Sequence, residues 1–471
     1  LVDKSLVQTD GAGRFVLHPL IQQFAAEKLA HDSAVLGATR AAHCHHFDRW
    51  LRRVTDVLRA DELRAMSELE PALENLRAMW HHATATRASD TLAACAMPLT
   101  RFFELRSRWG EGAALLAAAD AALAELPADD RAANVARANV WRAQGVLDLR
   151  SGAYERSLLR AERSLALCRA LAIRKGIKGN LNSLGLSAWH LNRRNEAARF
   201  FAQALAEARA DGDVDGEATF LANTALVEKA RGNFAQALTL TEQALAVHRA
   251  RHNAVSIHST LNNLGSLLRA LQRPRDALVV LNEAMATVAQ AGRGTTLPFV
   301  LCNLALAHAD LHEFDAALAH AERALGLNAS HGEPPLEASI RHALARAQTG
   351  LARFDPAQQH LARAIEVALA QHRTGVAVGT LVHWGCWYAA RGDSVRAAAL
   401  LRFAAGHPAI DGPDRAEAER ALAALAATLP PAALERAESA AGQMTLEQTA
   451  AELVTAGGAA TEAAIAAPPG A

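Results

Sequence analysis

Three asparagines recur at forty-residue intervals, Asn223, Asn263 and Asn303, with Ser183 in the corresponding place one interval earlier. Asn182 and Asn262 immediately precede two of these positions. A carboxamide carries both donors and an acceptor on a short side chain, so a row of them can bond a polar chain or bond one another and order a stack. Trp189, His190, Lys229, Arg269 and Arg346 fall in the same stretches. Motifs for bond-breaking chemistry are missing: the chain contains no H-E-x-x-H, no G-x-S-x-G and no paired-carboxylate motif.

The elements that must position these residues follow a register of small side chains. Gly185, Ala197 and Ala204 recur as Ala225, Ala237, Ala244, then Gly265, Ala277, Ala284. The series continues through Ala305, Ala317, Ala324, then Ala345, Ala357, Ala364, and Gly385, Ala397, Ala404, with a weaker copy at Gly145, Ser157, Ser164. Small residues are required where two helices cross closely, and a fixed period is the signature of a solenoid. Each unit reads as helix A, a tight turn, helix B and a linker. In the second unit these are about Lys178–Leu191, Asn192–Asn195, a helix to Ala210, and a linker Asp211–Gly216. Gly152, Gly232 and Gly392 mark turns where a helix end favours glycine. Tyr154, Phe234, Phe314 and Phe354 follow two residues later and are expected to wedge between neighbouring hairpins.

This spacing resembles the tetratricopeptide (TPR) pattern, whose usual period is about 34; the extra residues are expected to lengthen helix B and its linker. The resemblance implies a superhelical solenoid with helix A lining the concave groove. In peptide-binding arrays of this kind, asparagine at these places acts as a clamp on an extended peptide's backbone. Asn182, Asn223, Asn262, Asn263 and Asn303 are then groove residues, Asn223, Asn263 and Asn303 forming one ladder. Trp189, His190, Lys229, Arg269 and Arg346 would supply specificity, and a protein or peptide is the implied partner.

The first residues carry a second resemblance. Asp10–Gly13 reads as a turn between short strands, and Pro19 opens a helix with an apolar stripe of Leu20, Ile21, Phe24, Ala25 and Leu29. "LVDKSLV … RFVLHPLIQQFAAEKL" resembles the winged-helix segment behind the nucleotide-binding core of NB-ARC-type (STAND) signal-transduction ATPases. "LEPALENLRA" (Leu69–Ala78) is similar to that family's connecting helix, and "GQMTLEQTAAEL" (Gly442–Leu453) to the closing helix of its bacterial members. The resemblance implies ATP or ADP as the parent protein's cofactor, and an upstream nucleotide-binding domain. It places His18 against the ADP phosphate, in an intact parent only; where plant members carry Asp after this histidine, the chain has Pro19. No cofactor is expected in this chain, because the phosphate loop G-x-x-x-x-G-K-[ST] is absent and Ala291–Thr296 only imitates it.

The expected organisation is a winged-helix remnant over 1–31, a helical connector over 32–100 and an irregular helical hairpin over 101–135. Seven forty-residue repeats over 136–405, capping helices over 406–455 and a disordered tail over 456–471 follow. The fold class is all-α: a TPR-like superhelical solenoid behind a small winged-helix remnant. The chain opens at Leu1 without methionine, which reads as a cut within a longer protein.

Lys+Arg equal Asp+Glu at 49 each, so no global charge favours nucleic acid or an anionic membrane. Nor does a basic stripe with interleaved aromatics occur. Cys44, Cys95, Cys168, Cys302 and Cys386 are scattered without a C-x-x-C, consistent with free thiols in a cytoplasmic protein. His43, His45 and His46 lack a second cluster of metal ligands, so no metal is expected, and His81-His82 reads as helix surface. The expected role is a non-catalytic sensor arm of an NB-ARC-type transcriptional regulator. The alternatives are a stand-alone TPR scaffold, or the regulatory tail of a nucleotide cyclase or protein kinase.

Overall fold

A computed structural model describes residues 7–9, 15–60, 62–106, 108–290, 296–331, 334–371 and 373–455. The turn expected at Asp10–Gly13, the phosphate-loop imitation at Ala291–Thr295 and the tail expected over 456–471 lie outside them. The chain divides into two units. Unit 1 comprises Leu1–Ala153 and Leu159–Gly176, and unit 2 comprises Tyr154–Leu158 and Ile177–Ala471.

In unit 1, strands β1 (Val7–Thr9) and β2 (Phe15–Leu17) pair antiparallel with Val7 opposite Leu17. Helix α1 (Pro19–Ala30) follows; Ile21, Ala25 and Leu29 of its expected stripe are half-buried, whereas Leu20 is 70% and Phe24 59% exposed. Then come α2 (Ser33–Ala60), α3 (Glu62–Leu69), a 3-10 turn (Glu70–Ala72) and α4 (Leu73–Ala85). Pro71, with no N–H to give a helix ladder, marks that turn, so Leu69–Ala78 spans the end of α3, the 3-10 turn and the start of α4 and is not one helix. Helices α5 (Ser89–Leu105), α6 (Trp109–Ala124), α7 (Arg131–Arg150) and most of α8 (Tyr154–Ala170) complete the unit. The boundary expected at 100/101 falls inside α5, where Leu99, Phe102 and Phe103 continue one buried face. The core gathers Leu51, Leu76, Met79, Trp80, Leu92 and Phe102, and the Trp80 indole N–H donates to the Leu115 carbonyl at 2.9 Å.

Unit 2 alternates A helices with B helices. The A helices are α9 (Arg174–His190), α11 (Val214–Arg231), α13 (Ala254–Ala270), α15 (Leu297–Asp310), α17 (Pro334–Gly350) and α19 (Thr374–Ala390). The B helices are α10 (Arg194–Ala210), α12 (Phe234–Ala250), α14 (Pro274–Gln290), α16 (Phe314–His331), α18 (Phe354–Ala370) and α20 (Ser394–Gly406). From α10 to α20 each helix packs on the next, and from α11 onward each A helix also touches the following A helix. That second contact makes the A helices one continuous face.

The register of small residues is the packing seam. Ala197, Ala204, Ala237, Ala244, Ala277, Ala284, Ala317, Ala357 and Ala397 are all 0% exposed. A Cβ added at Gly185 would lie 2.4 Å from the Phe201 ring, and one at Gly265 equally close to Leu281. The A-to-B turns place one residue in the left-handed region in each repeat of unit 2, filled by Asn192, Gly232, Gln272, His312, Ala352 or Gly392. The aromatic wedges take their expected places: Tyr154 stacks on His190 at 4.6 Å, Phe354 meets Trp387 edge-on, and Phe314 covers Gly350.

The added length is distributed differently from expectation. Helix α9 starts at Arg174, four residues before the expected Lys178, and α9 and α10 are both 17 residues long. The linker after α10 shrinks to Asp211–Asp213, because the Asp213 carboxylate accepts the Gly216 N–H at 2.9 Å and starts α11 at Val214. Asn253 does the same for α13, and Asp393 for α20.

Beyond α20, α22 (Pro431–Gln443) packs on α20, and a last helical stretch runs over 446–455. Helix α21 (Gly412–Ala426) takes another course: it touches α20, α19 and, far back in the array, α11. It therefore lies against the A-helix face and not only over the array's end, as a pure cap would.

Candidate functional site: the concave groove of unit 2

The A helices present polar side chains to one another across the groove. Asn223 donates its amide N–H to the Asn182 carboxamide oxygen at 2.7 Å, and Asn303 donates likewise to Asn262 at 2.9 Å. The single ladder of Asn223, Asn263 and Asn303 does not form. Each bond joins the residue three before the first small position of one repeat to the residue two before it in the next. For Asn263 the earlier partner is Ala222, which has no amide, and both border a space of only about 10 Å³. The paired amides order the stack.

The groove encloses a cavity of about 800 Å³. Of the expected residues, Trp189, His190, Lys229, Arg269 and Asn303 line it. Arg346 lines an adjoining space of about 210 Å³ with His383 and Glu417. Asn182, Asn223 and Asn262 sit behind these walls, half-buried.

The electrostatics centre on one carboxylate. Asp310 accepts from Arg269 Nε at 2.6 Å and pairs with Arg346 at 2.8 Å. Arg346 also reaches Glu417 of α21 at 3.7 Å. Burial works against the Arg346 charge, but Glu417 and Asp310 outweigh it and raise its pKa. Burial likewise works against the Glu417 charge, and Arg346 with His383 outweighs it and lowers that pKa. The Lys229 ammonium, by contrast, donates to the Ser266 hydroxyl at 3.0 Å and has no ion pair among the described residues. Burial depresses its pKa, which Asp411 and Asp414 only partly oppose. His342 is buried, holds Thr380 Oγ1 at 2.7 Å from its Nε2, and is driven well below the usual histidine range by burial, with His383 and Arg373 adding to it.

Helix α21 and its approach close part of this space. The Arg194 guanidinium donates to the carbonyls of Ile410 and Ala409 at 2.8 and 2.9 Å. Asp411 caps α21 by accepting the Asp414 N–H at 2.9 Å. Gly412 sits so close to the backbone of Lys229 and Gly232 that a Cβ would lie 2.6 Å from Gly232 N. A Cβ at Gly379 would collide with the Asp414 carboxylate. Sequence reasoning missed Arg194, Asp310, His342, His383, Asp414 and Glu417. The readable signal was Gly379, a helix-interior glycine outside the repeat register, which costs about 1 kcal/mol unless a close approach requires it.

In unit 1, His18 is exposed and its Nδ1 accepts the Leu20 N–H at 3.3 Å, capping α1. With no phosphate loop in the sequence, His18 and its neighbours do not by themselves make an ADP site. His43 Nε2 lies 3.1 Å from Asn75 Oδ1. Among the described residues no group of three or more His, Cys, Asp or Glu could hold a metal, and no helix is long and apolar enough to cross a membrane.

No known family profile matches the chain. Over 177 residues it is 30% identical to the regulatory protein AfsR of Streptomyces griseus, a match covering 38% of this chain and 17% of that protein. The chain thus spans under a fifth of that relative's length. Among solved structures it is similar to the Rap conjugation gene regulator of the plasmid pLS20, in complex with the Phr* peptide. There the TM-score is 0.52 at 12% identity, over 70% of this chain and 96% of that one. It is also similar to the apo form of the quorum sensor NprR from B. thuringiensis, with a TM-score of 0.51 at 16% identity over 74% of this chain and 92% of that one. At these identities the likeness speaks to the fold, and it agrees with the packing seam: the chain is an all-α protein whose repeats build a tetratricopeptide-like helical solenoid.

Proposed function

We propose that this chain captures a protein or peptide segment in the concave groove of unit 2, without catalysis. It acts as the sensor arm of a transcriptional regulator of the NB-ARC type. The observation that carries this reading is the cavity of about 800 Å³ between the A helices and residues 407–420, whose Asn303 amide, cations and Trp189 match what an extended backbone and its side chains require. The partial match to a protein named as regulatory supports it, as does the shared fold with a regulator solved with a peptide. Occupancy of the groove drives a response only if the partner favours one state of the parent protein over another. Attachment to a nucleotide-binding domain, and the part of His18 there, belong to this proposal.

The test is selection of a phage-displayed random peptide library on the intact chain. The peptides recovered should bind the native chain and lose at least about tenfold in affinity with Trp189→Ala/Asn303→Ala, whose thermal unfolding stays cooperative. Peptides that bind this variant as well as the native chain would place the capture surface elsewhere.

A further inference from the structure

The groove already holds a piece of this chain. Residues 409–417 lie along the A-helix face, held by Arg194 at the Ala409 and Ile410 carbonyls and by the close approach of Gly412 to Lys229 and Gly232. Their charge complements the wall. Arg194, Lys229, Arg269 and Arg346 line the wall with one carboxylate among the described lining residues, Asp310, while the segment supplies Asp411, Asp414 and Glu417 against Arg415. The complement is incomplete. Glu417 reaches Arg346 only at 3.7 Å. Lys229 has a serine hydroxyl in place of a carboxylate, and the Asp414 carboxyl, packed on Gly379, has no hydrogen bond or ion pair among the described residues. Lys229 and Asp414 are thus half-buried in one space without a direct pair. Burial presses each towards its neutral form, Lys229 below its ordinary range and Asp414 well above it, only partly relieved by the other's charge.

We infer that residues 409–417 are an internal occupant of the groove, and that the partner is an acidic peptide which displaces them by setting a carboxylate on Lys229. This rests on the groove being the capture surface. The displaced segment gains as well, since Asp414 returns to water. An under-paired occupant of this kind sets a threshold: partners lacking acidic side chains cannot repay the lost Arg194 and Gly412 contacts.

The test uses the full chain and, as probe, a short synthetic peptide of alternating glutamate and alanine, against a control with every glutamate changed to glutamine. Gly412→Val, with no room for its side chain, should raise hydrogen exchange across 407–420 and tighten binding of the acidic peptide at least about tenfold. The amide peptide should bind the released chain at least about tenfold more weakly. A measurement free of any variant accompanies this: adding the acidic peptide to the native chain should raise exchange across 407–420, and the amide peptide should not. Unchanged exchange on adding the acidic peptide, or equal affinity of native and released chains, would overturn the inference. Equal binding of both peptides would remove the acidic preference and leave the groove reading standing, whereas no binding of either to the released chain would sink both.

Discussion

The Arg194 guanidinium, in the first turn of α10, donates at 2.8 Å to the Ile410 carbonyl 216 residues later in the chain. With its second bond to Ala409 it ties the approach to α21 to the early part of the array. Burial lowers the Arg194 pKa, with Asp411 pulling the other way. Charge-assisted bonds from a desolvated donor contribute about 2 kcal/mol each. Arg194→Ala should therefore loosen 407–412 selectively. Hydrogen exchange should rise there while α13 to α18 keep their protection; a uniform rise would show that the bond serves the whole array.

The contact between Gly185 and Phe201 gives a size relationship at part of the seam. Beside Gly185, Gly265 and Gly385, Phe201, Leu281 and Leu401 fill the space a methyl would take. Beside Ala225 and Ala305 the matching residues are Thr241 and Ala321, whereas Ala345 with Leu361 and Gly145 with Ala161 depart from this. Gly185→Ala should cost about 1–3 kcal/mol by overpacking. Combined with Phe201→Thr, which copies the Ala225–Thr241 pair, the double variant should lose less than the sum of the singles by at least about 1 kcal/mol. Denaturant unfolding of the four proteins measures this, and strict additivity would mean that the two side chains do not share the space.

Left-handed turn residues offer a test with opposite signs. Ala352 holds a φ of 56°, which costs a residue with a Cβ about 1–2 kcal/mol. Ala352→Gly should stabilise by about 0.5–1 kcal/mol after the added unfolded-state entropy. Gly392 has a φ of 87° with open space around a Cβ, so Gly392→Ala should destabilise by about 1–2 kcal/mol through the backbone alone. Melting curves with the same sign for both would contradict the turn assignment.

Much of this architecture was legible from the sequence because its cause is local and repeated. Small residues meet at the seam in every repeat, so the period announced the hairpins, and Tyr154 and Phe354 announced the wedges between them. Helix starts were readable in principle from Asp213, Asn253 and Asp393, whose side chains cap them. The asparagines, and the alternative that they bond one another across the stack, were legible, but which ones pair was not, because that depends on a one-residue offset between repeats and on Ala222 interrupting it. The course of 409–417 left almost no trace, since bonds such as Arg194 to Ile410 occur once and have no period.

His360 links acid to stability. Burial and the neighbouring Arg341, whose guanidinium lies 3.4 Å away, push its pKa down to about 4. In the unfolded chain the ordinary value is about 6.5, so the unfolded state binds the extra proton between these values. The contribution is fully present above about pH 6.5 and is lost as pH falls towards 4, up to about 3 kcal/mol. His360→Gln should flatten melting temperature against pH in that window; an unchanged slope would assign the acid sensitivity to other groups.

Lys229 separates stability from capture. Its half-buried ammonium bonds a hydroxyl, and the nearby Asp411 and Asp414 offset its burial only in part, so Lys229→Met should leave the fold as stable or raise it by about 1 kcal/mol. The same change should weaken the acidic peptide at least about tenfold. Thermal unfolding and fluorescence anisotropy measure the two effects, and a destabilised variant with unaltered binding would reverse the assignment.

Hydrogen exchange of the full chain, with and without a captured peptide, tests the groove most directly. Protection should appear on α11, α13 and α15, around Asn223, Lys229 and Asn303, together with faster exchange across 407–420. Protection confined to the B helices α12, α14 and α16, with 407–420 unchanged, would contradict capture on the concave face.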